Sequence, residues 1–165
     1  MNKGAWSKQK IILISATLLL AIVFPHIAPY IALASEILIF ALFAMAFDLM
    51  LGYAGMLSFG HAAFFGLGAY TAGLILKDLY PSVPLALLGG VITSSLAGFI
   101  IGFLSIRRRG IYFTMVTLAF AQMFYFIAFK WTGLTGGDDG LQRVPRPSLG
   151  PLNLQSQIVF YYFLL

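Results

Sequence analysis

Apolar residues in this chain gather into long runs, with polar residues confined mostly to the gaps between them. Five runs, 11–28, 31–51, 54–76, 83–106 and 111–129, reach the length of a bilayer-spanning helix. Such a helix needs about 20 residues, because the hydrocarbon core is about 30 Å thick and each residue rises 1.5 Å. A sixth run opens at Ile158 and reaches only Leu165, too short to cross. The pattern predicts an all-α integral membrane protein, a polytopic helix bundle of five complete spans plus the start of a sixth. It reads as a single transmembrane domain over 1–165, cut short at its C-terminus, with a long loop over 130–157. The first run also resembles the apolar core of a secretory signal behind a basic N-terminus. Its small-residue triplet, Ala32-Leu33-Ala34, lies well beyond the run, so an uncleaved first span is the better reading.

Composition agrees with this picture. Of 165 residues, 61% are hydrophobic and 9% charged, and the mean hydropathy is +0.95. Soluble domains carry about 25% charged residues to solvate their surface. The net charge of +5 does not point to nucleic acid, since the Lys and Arg residues sit at the ends of apolar runs, where the bilayer interface favours them. There is no cysteine, which excludes disulfides, thiolate metal sites and haem attachment.

The cations also orient the chain. Lys3, Lys8 and Lys10 precede the first run, and Arg107, Arg108 and Arg109 fall between the fourth and fifth. If both clusters are cytoplasmic anchors, an even number of crossings must separate them, and four runs do. This places the N-terminus in the cytoplasm and the 130–157 loop outside. A re-entrant third segment would break that parity, and its glycines allow one.

The segment 52–73 reads GYAGMLSFGHAAFFGLGAYTAG. On a continuous helix, Gly55, Ser58, Ala62, Gly66, Ala69 and Gly73 fall at steps of three and four, forming one stripe of small residues. Apolar helices gain no hydrophobic energy by meeting in lipid, so close backbone approach has to hold them together. Gly90, Ser94, Gly98 and Gly102 repeat that logic in the fourth run. Helix packing is the plain reading of both stripes.

Polar residues at membrane depth ask for more. Ser58 and His61 are helix neighbours, but no GxSxG elbow surrounds Ser58 and no acid orients His61. A structural hydrogen bond or a polar lining of a substrate path therefore outweighs a nucleophilic pair. Glu36 and Asp48 point about 120° apart on one helix, so they do not form one carboxylate site. Glu36 suits an internal salt bridge, a path-lining acid or snorkelling to the interface. Thr117 and Gln122 in the fifth run either bond a neighbouring helix or line a cavity. The stretch TGLTGGDDGL after Lys130-Trp131 lacks a P-loop lysine and the ligand spacing of a calcium loop.

Three blocks carry a family resemblance: GYAGMLSFGHAAFFGLGAY, RRRGIYFTMVTLAFAQMFY and WTGLTGGDDGL. In this order and spacing they resemble the M-type (LivM-like) permease subunits of branched-chain amino-acid ABC importers. Urea and short-chain amide permeases share the first block, while the TGG-acidic-Gly loop resembles the amino-acid branch. The resemblance implies a multi-pass permease in the bacterial inner membrane, without catalytic residues, cofactor or metal of its own. It implies an H-type permease partner, two ATP-binding cassette ATPases, a periplasmic or extracellular amino-acid-binding protein, and membrane lipid, with no nucleic acid. Ser58, His61, Gly66, Gly68 and Tyr70 match the first block, Thr117 and Gln122 the second, and Gly136, Gly137 and Gly140 the third. A permease for urea or for other amino acids or amides, or a self-sufficient secondary transporter, is the alternative.

Overall fold

The computed structural model describes residues 3–27, 30–105, 110–147 and 153–165, and these form helices and loops without a strand. The helices are α1 (Lys3–Ile27), α2 (Ile31–Ala54), α3 (His61–Leu74), α4 (Val83–Ser105), α5 (Ile111–Lys130), the single turn α6 (Thr132–Thr135) and α7 (Gln157–Leu164). A π turn, Ile75–Leu79, extends α3, and a 3-10 turn, Gly137–Asp139, follows α6. Among the described residues, five segments are long and apolar enough to cross a membrane: Lys10–Ile27, Ile31–Ala54, His61–Leu79, Val83–Ser105 and Ile111–Lys130. Large apolar side chains lie exposed on every one of them, Phe99 at 72%. A water-facing surface does not carry apolar area on that scale. The Arg107–Arg109 anchor lies outside the described residues.

The third run does not form one helix from residue 54. Residues 52–54 instead finish α2, and Gly55 ends it in the left-handed conformation, φ +63°, donating its N–H to the Leu51 carbonyl at 3.1 Å. Glycine is suited to that backbone because it has no Cβ to clash. Residues 55–60 are non-helical. The buried Ser58 hydroxyl accepts the Gly60 N–H at 3.2 Å, and α3 starts at His61. Gly55 and Ser58 are therefore out of helical register with Gly66 and Gly73, and the expected continuous small-residue stripe is broken. At its other end the π turn closes on Tyr80, held extended ahead of Pro81 as a proline requires.

The seam that does form runs between α3 and α4, through Gly68. A Cβ there would collide with Ser94 Oγ, and a Cβ on Gly90 would lie 3.0 Å from the Gly68 carbonyl. Three hydroxyls lace the seam. Ser94 donates to the Phe64 carbonyl at 2.9 Å, and Thr71 Oγ1, which donates to Leu67, lies 3.1 Å from Thr93 Oγ1. Gly98 and Gly102, farther along α4, have nothing within 4 Å of an added Cβ. The fourth-run stripe is thus packed over half its length and open over the rest.

α7 lies against α2 and α1. Pro25 inside α1 has no N–H to give the carbonyl four residues back, and its ring crowds that carbonyl. That carbonyl belongs to Ala21, and the Tyr161 hydroxyl donates to it at 2.6 Å. Tyr162 donates to Ile22 at 3.2 Å, with His26 Nε2 at 3.3 Å. Tyr161 is 1% exposed, so a proline defect in one helix is repaired by a buried tyrosine 140 residues away.

Candidate functional site

α3 and α5 diverge above a point where their backbones meet. A Cβ on Gly60, just before α3, would lie 3.0 Å from the Thr117 carbonyl and 3.2 Å from Thr117 Cβ. Glycine at 60 is what allows this close approach. Thr117 is 2% exposed, and its hydroxyl donates to the Thr114 carbonyl at 3.0 Å. Beyond this contact a cleft of about 490 Å³ opens, within the range of about 300–1,000 Å³ usual for small-molecule sites.

Each wall is a helical register. Ala62, Gly66 and Tyr70 of α3 recur every four residues, and Leu118, Gln122, Tyr125 and Phe129 of α5 follow at steps of four, three and four. Those spacings put each set on one face of its helix. Gln122 lies roughly 16 Å along an α5 about 30 Å long, so its carboxamide enters the cleft near mid-depth. At the far end the 3-10 turn contributes Gly137 and Asp138, and Gly140 follows just after it. The walls are chiefly aliphatic and aromatic, broken by Tyr70, Gln122, Tyr125 and Asp138. Such a cleft suits a small molecule with an apolar body and a polar head.

The turn that roofs the cleft needs its glycines. Gly136, Gly137 and Gly140 have φ of +82°, +62° and +67°, a region that side-chain-bearing residues rarely adopt. A Cβ on Gly136 would collide with the Gly140 carbonyl, and one on Gly137 would lie 2.8 Å from Thr132 Cγ2. The buried Thr135 hydroxyl donates to the Ala128 carbonyl at the end of α5 and accepts the Gly137 N–H at 3.3 Å. The roof is thereby fastened to the helix whose residues form one wall. Leu141 then packs on α3, where a Cβ on Gly73 would lie 2.6 Å from its Cδ2.

Of the residues the sequence singled out, the cleft collects Gly66, Tyr70, Gln122, Gly137 and Gly140. Ser58 and Thr117 do not line it; they meet at Gly60, with hydroxyls occupied by local backbone. Gly136 sits in the roof turn, and Gly68 faces α4. His61 is elsewhere. Its ring lies among Phe43, Phe47 and Phe64, with centroids at 5.4, 5.8 and 6.2 Å, and its buried Nδ1 has no hydrogen-bond partner. It lines a second cavity with α2 and the end of α7, and no hydrogen bond joins it to Ser58. Phe59, Leu118, Tyr125 and Asp138 line the cleft without having been singled out, and Ala62, named only for the packing stripe, lines it too. The signal for Leu118 and Tyr125 was present, since each is three or four residues from Gln122.

Comparison with known proteins bears on the same residues. The family described as branched-chain amino acid transport system / permease component matches residues 30–165. The chain is 31% identical over 152 residues to the high-affinity branched-chain amino acid transport system permease protein LivM of Salmonella typhimurium, covering 88% of this chain and 35% of that protein. It is 30% identical over 152 residues to LivM of Escherichia coli, with the same coverage. The chain therefore spans about a third of the length of the relatives it matches. No solved structure matches it significantly.

Proposed function

Because the chain belongs to the branched-chain amino acid transport permease family, and is accordingly a multi-pass membrane protein, we propose that it forms part of the translocation path of a binding-protein-dependent ABC importer for leucine, isoleucine and valine. The observation that carries this reading is the α3–α5 cleft. It brings parts of three separate sequence blocks onto one apolar-walled space, with Gln122 near mid-depth. Polar groups at membrane depth are costly and tend to face water-filled paths. A branched aliphatic side chain matches the walls, and the amino-acid head matches Tyr70, Gln122 and Asp138. On this reading the 130–157 segment faces outward, the N-terminus is cytoplasmic and the membrane is the bacterial inner membrane. The partners are an H-type permease, two ATPases that hydrolyse ATP, and an external amino-acid-binding protein. Ser58, Gly60 and Thr117 hold the contact at which the backbones before α3 and in α5 meet.

The test is uptake by proteoliposomes holding the protein with those partners. Leucine should enter only with ATP on the ATPase side and binding protein on the other. Uptake driven by an ion gradient alone would overturn the proposal in favour of a secondary transporter. Urea uptake without leucine uptake would move it to the amide branch.

A further inference from the structure

A third, smaller pocket of about 130 Å³ lies apart from the cleft, between the start of α2, the start of α7 and the segment leading from the roof. Its lining includes Glu36 on α2, Arg146 on that segment and Gln157 on α7, over an apolar base of Ala32, Ile39 and Phe160. Arg146 is not drawn onto Glu36. Its guanidinium carbon instead stands 5.1 Å over the Phe160 ring, an attraction of cation to ring face that keeps the charge at the pocket wall. Ser35, the remaining lining residue, spends its hydroxyl on the Ile31 carbonyl. The pocket thus offers one carboxylate, one guanidinium and one carboxamide, with the two charges unpaired with each other.

We propose that this pocket is a loading subsite for the zwitterionic head of an α-amino acid, taking its ammonium at Glu36 and its carboxylate at Arg146 and Gln157. A lone anion would meet Glu36 and a lone cation would meet Arg146, so a ligand carrying both charges a short distance apart is the complementary one. Guanidinium is suited to the carboxylate, which it binds through two parallel donors. The small volume admits the head, and an aliphatic side chain would lie along Ile39 and Phe160. The same segment connects the two sites: from Gly140 at the roof it passes Leu141, seated on Gly73, and reaches Arg146. The choice of amino acids as ligands rests on the function proposed above; the charge complementarity does not.

The experiment uses the complete importer in nanodiscs without ATP. Because residues 1–165 hold no cysteine, Ala32→Cys, in an importer whose other cysteines are replaced by serine, gives a single thiol in the pocket lining, whose alkylation by N-ethylmaleimide is timed. Leucine should slow alkylation about tenfold, as charge-assisted hydrogen bonds to both ends of the head would. Isopentylamine, without the carboxylate, and 4-methylpentanoate, without the ammonium, should slow it less than about twofold, each lacking one of those bonds. Glu36→Gln and Arg146→Gln should each abolish the leucine effect while leaving alkylation of a Tyr53→Cys control, on the remote end of α2, unchanged. Equal protection by all three compounds would overturn the proposal, as would no protection by leucine in an importer that transports it. Absence of leucine uptake with ATP and binding protein present would instead count against the function proposed above, and the protection pattern would still be read independently.

Discussion

Tyr161 and Pro25 provide the sharpest energetic test of the fold. Pro25 leaves the Ala21 carbonyl without its helical donor, and Tyr161 supplies one at 2.6 Å. Tyr161→Phe keeps the ring and its packing but strands the carbonyl in an apolar setting. An unsatisfied buried group costs about 1–3 kcal/mol, while side-chain hydrogen bonds measured within membranes average about 0.6 kcal/mol and reach about 1.7. A loss of about 1–1.5 kcal/mol is therefore expected. Pro25→Ala restores the backbone N–H that Ala21 lacks. In that background Tyr161→Phe should cost only a few tenths of a kcal/mol, so the two substitutions should couple by about 1 kcal/mol. The assay is unfolding of the four variants by sodium dodecyl sulfate titrated into mixed micelles, followed by helicity. If Tyr161→Phe costs the same with proline or alanine at 25, the tyrosine does not repair the proline defect, and the reasoning fails.

Two more predictions use neighbouring residues with opposite expected outcomes. Gly68→Leu should sharply lower folded yield, because even a Cβ at 68 collides with Ser94 Oγ and would break its bond to Phe64. Gly66→Leu, where nothing lies within 4 Å of an added Cβ, should fold and assemble normally but obstruct the cleft and abolish uptake. Size-exclusion profiles and uptake of the two variants decide the matter, and equal loss of folded protein would show that both glycines serve packing. For orientation, Tyr53→Cys and Asp139→Cys, both at exposed positions, should react with an impermeant maleimide from opposite sides of the membrane; reaction from one side would mean a segment fails to cross.

The spans were legible because burial in lipid demands apolar residues on all sides of a helix, a strong signal that needs no tertiary information. The helix ends were less so. Hydropathy does not register Gly55, whose left-handed φ ends α2 ahead of a helix that starts only at His61, and so it cannot tell that Gly52 belongs to α2 while Gly66 belongs to α3. The small-residue pattern located the right helices for the main seam but chose the wrong face of α3. Gly66 and Gly68 are both small, and only the position of α4 decides which of them is covered. His61 stood out as a polar residue in an apolar run, and the aromatic rings around it were invisible because Phe43 and Phe47 come from another helix.

Satisfaction of polar groups separates the packing residues from the candidate site. Ser58, Thr71, Ser94, Thr117 and Thr135 all engage their hydroxyls with backbone, which is what apolar surroundings require of a polar atom. Such residues stabilise the bundle and have little left to offer a ligand. Gln122 lies near mid-depth beside an open space, and a carboxamide there has four hydrogen-bonding positions to satisfy. Water in the cleft can satisfy them in a resting protein, and a passing amino-acid head can replace that water group for group. Gln122→Leu would remove that demand while filling similar volume. It should therefore leave folded yield unchanged or raise it, while lowering the rate of leucine uptake about tenfold, as loss of one polar contact of about 1.4 kcal/mol would. Folding would be read from the size-exclusion profile and transport from initial uptake rates at saturating binding protein. A variant that misfolds would place Gln122 among the packing residues, and one that transports normally would remove it from the path.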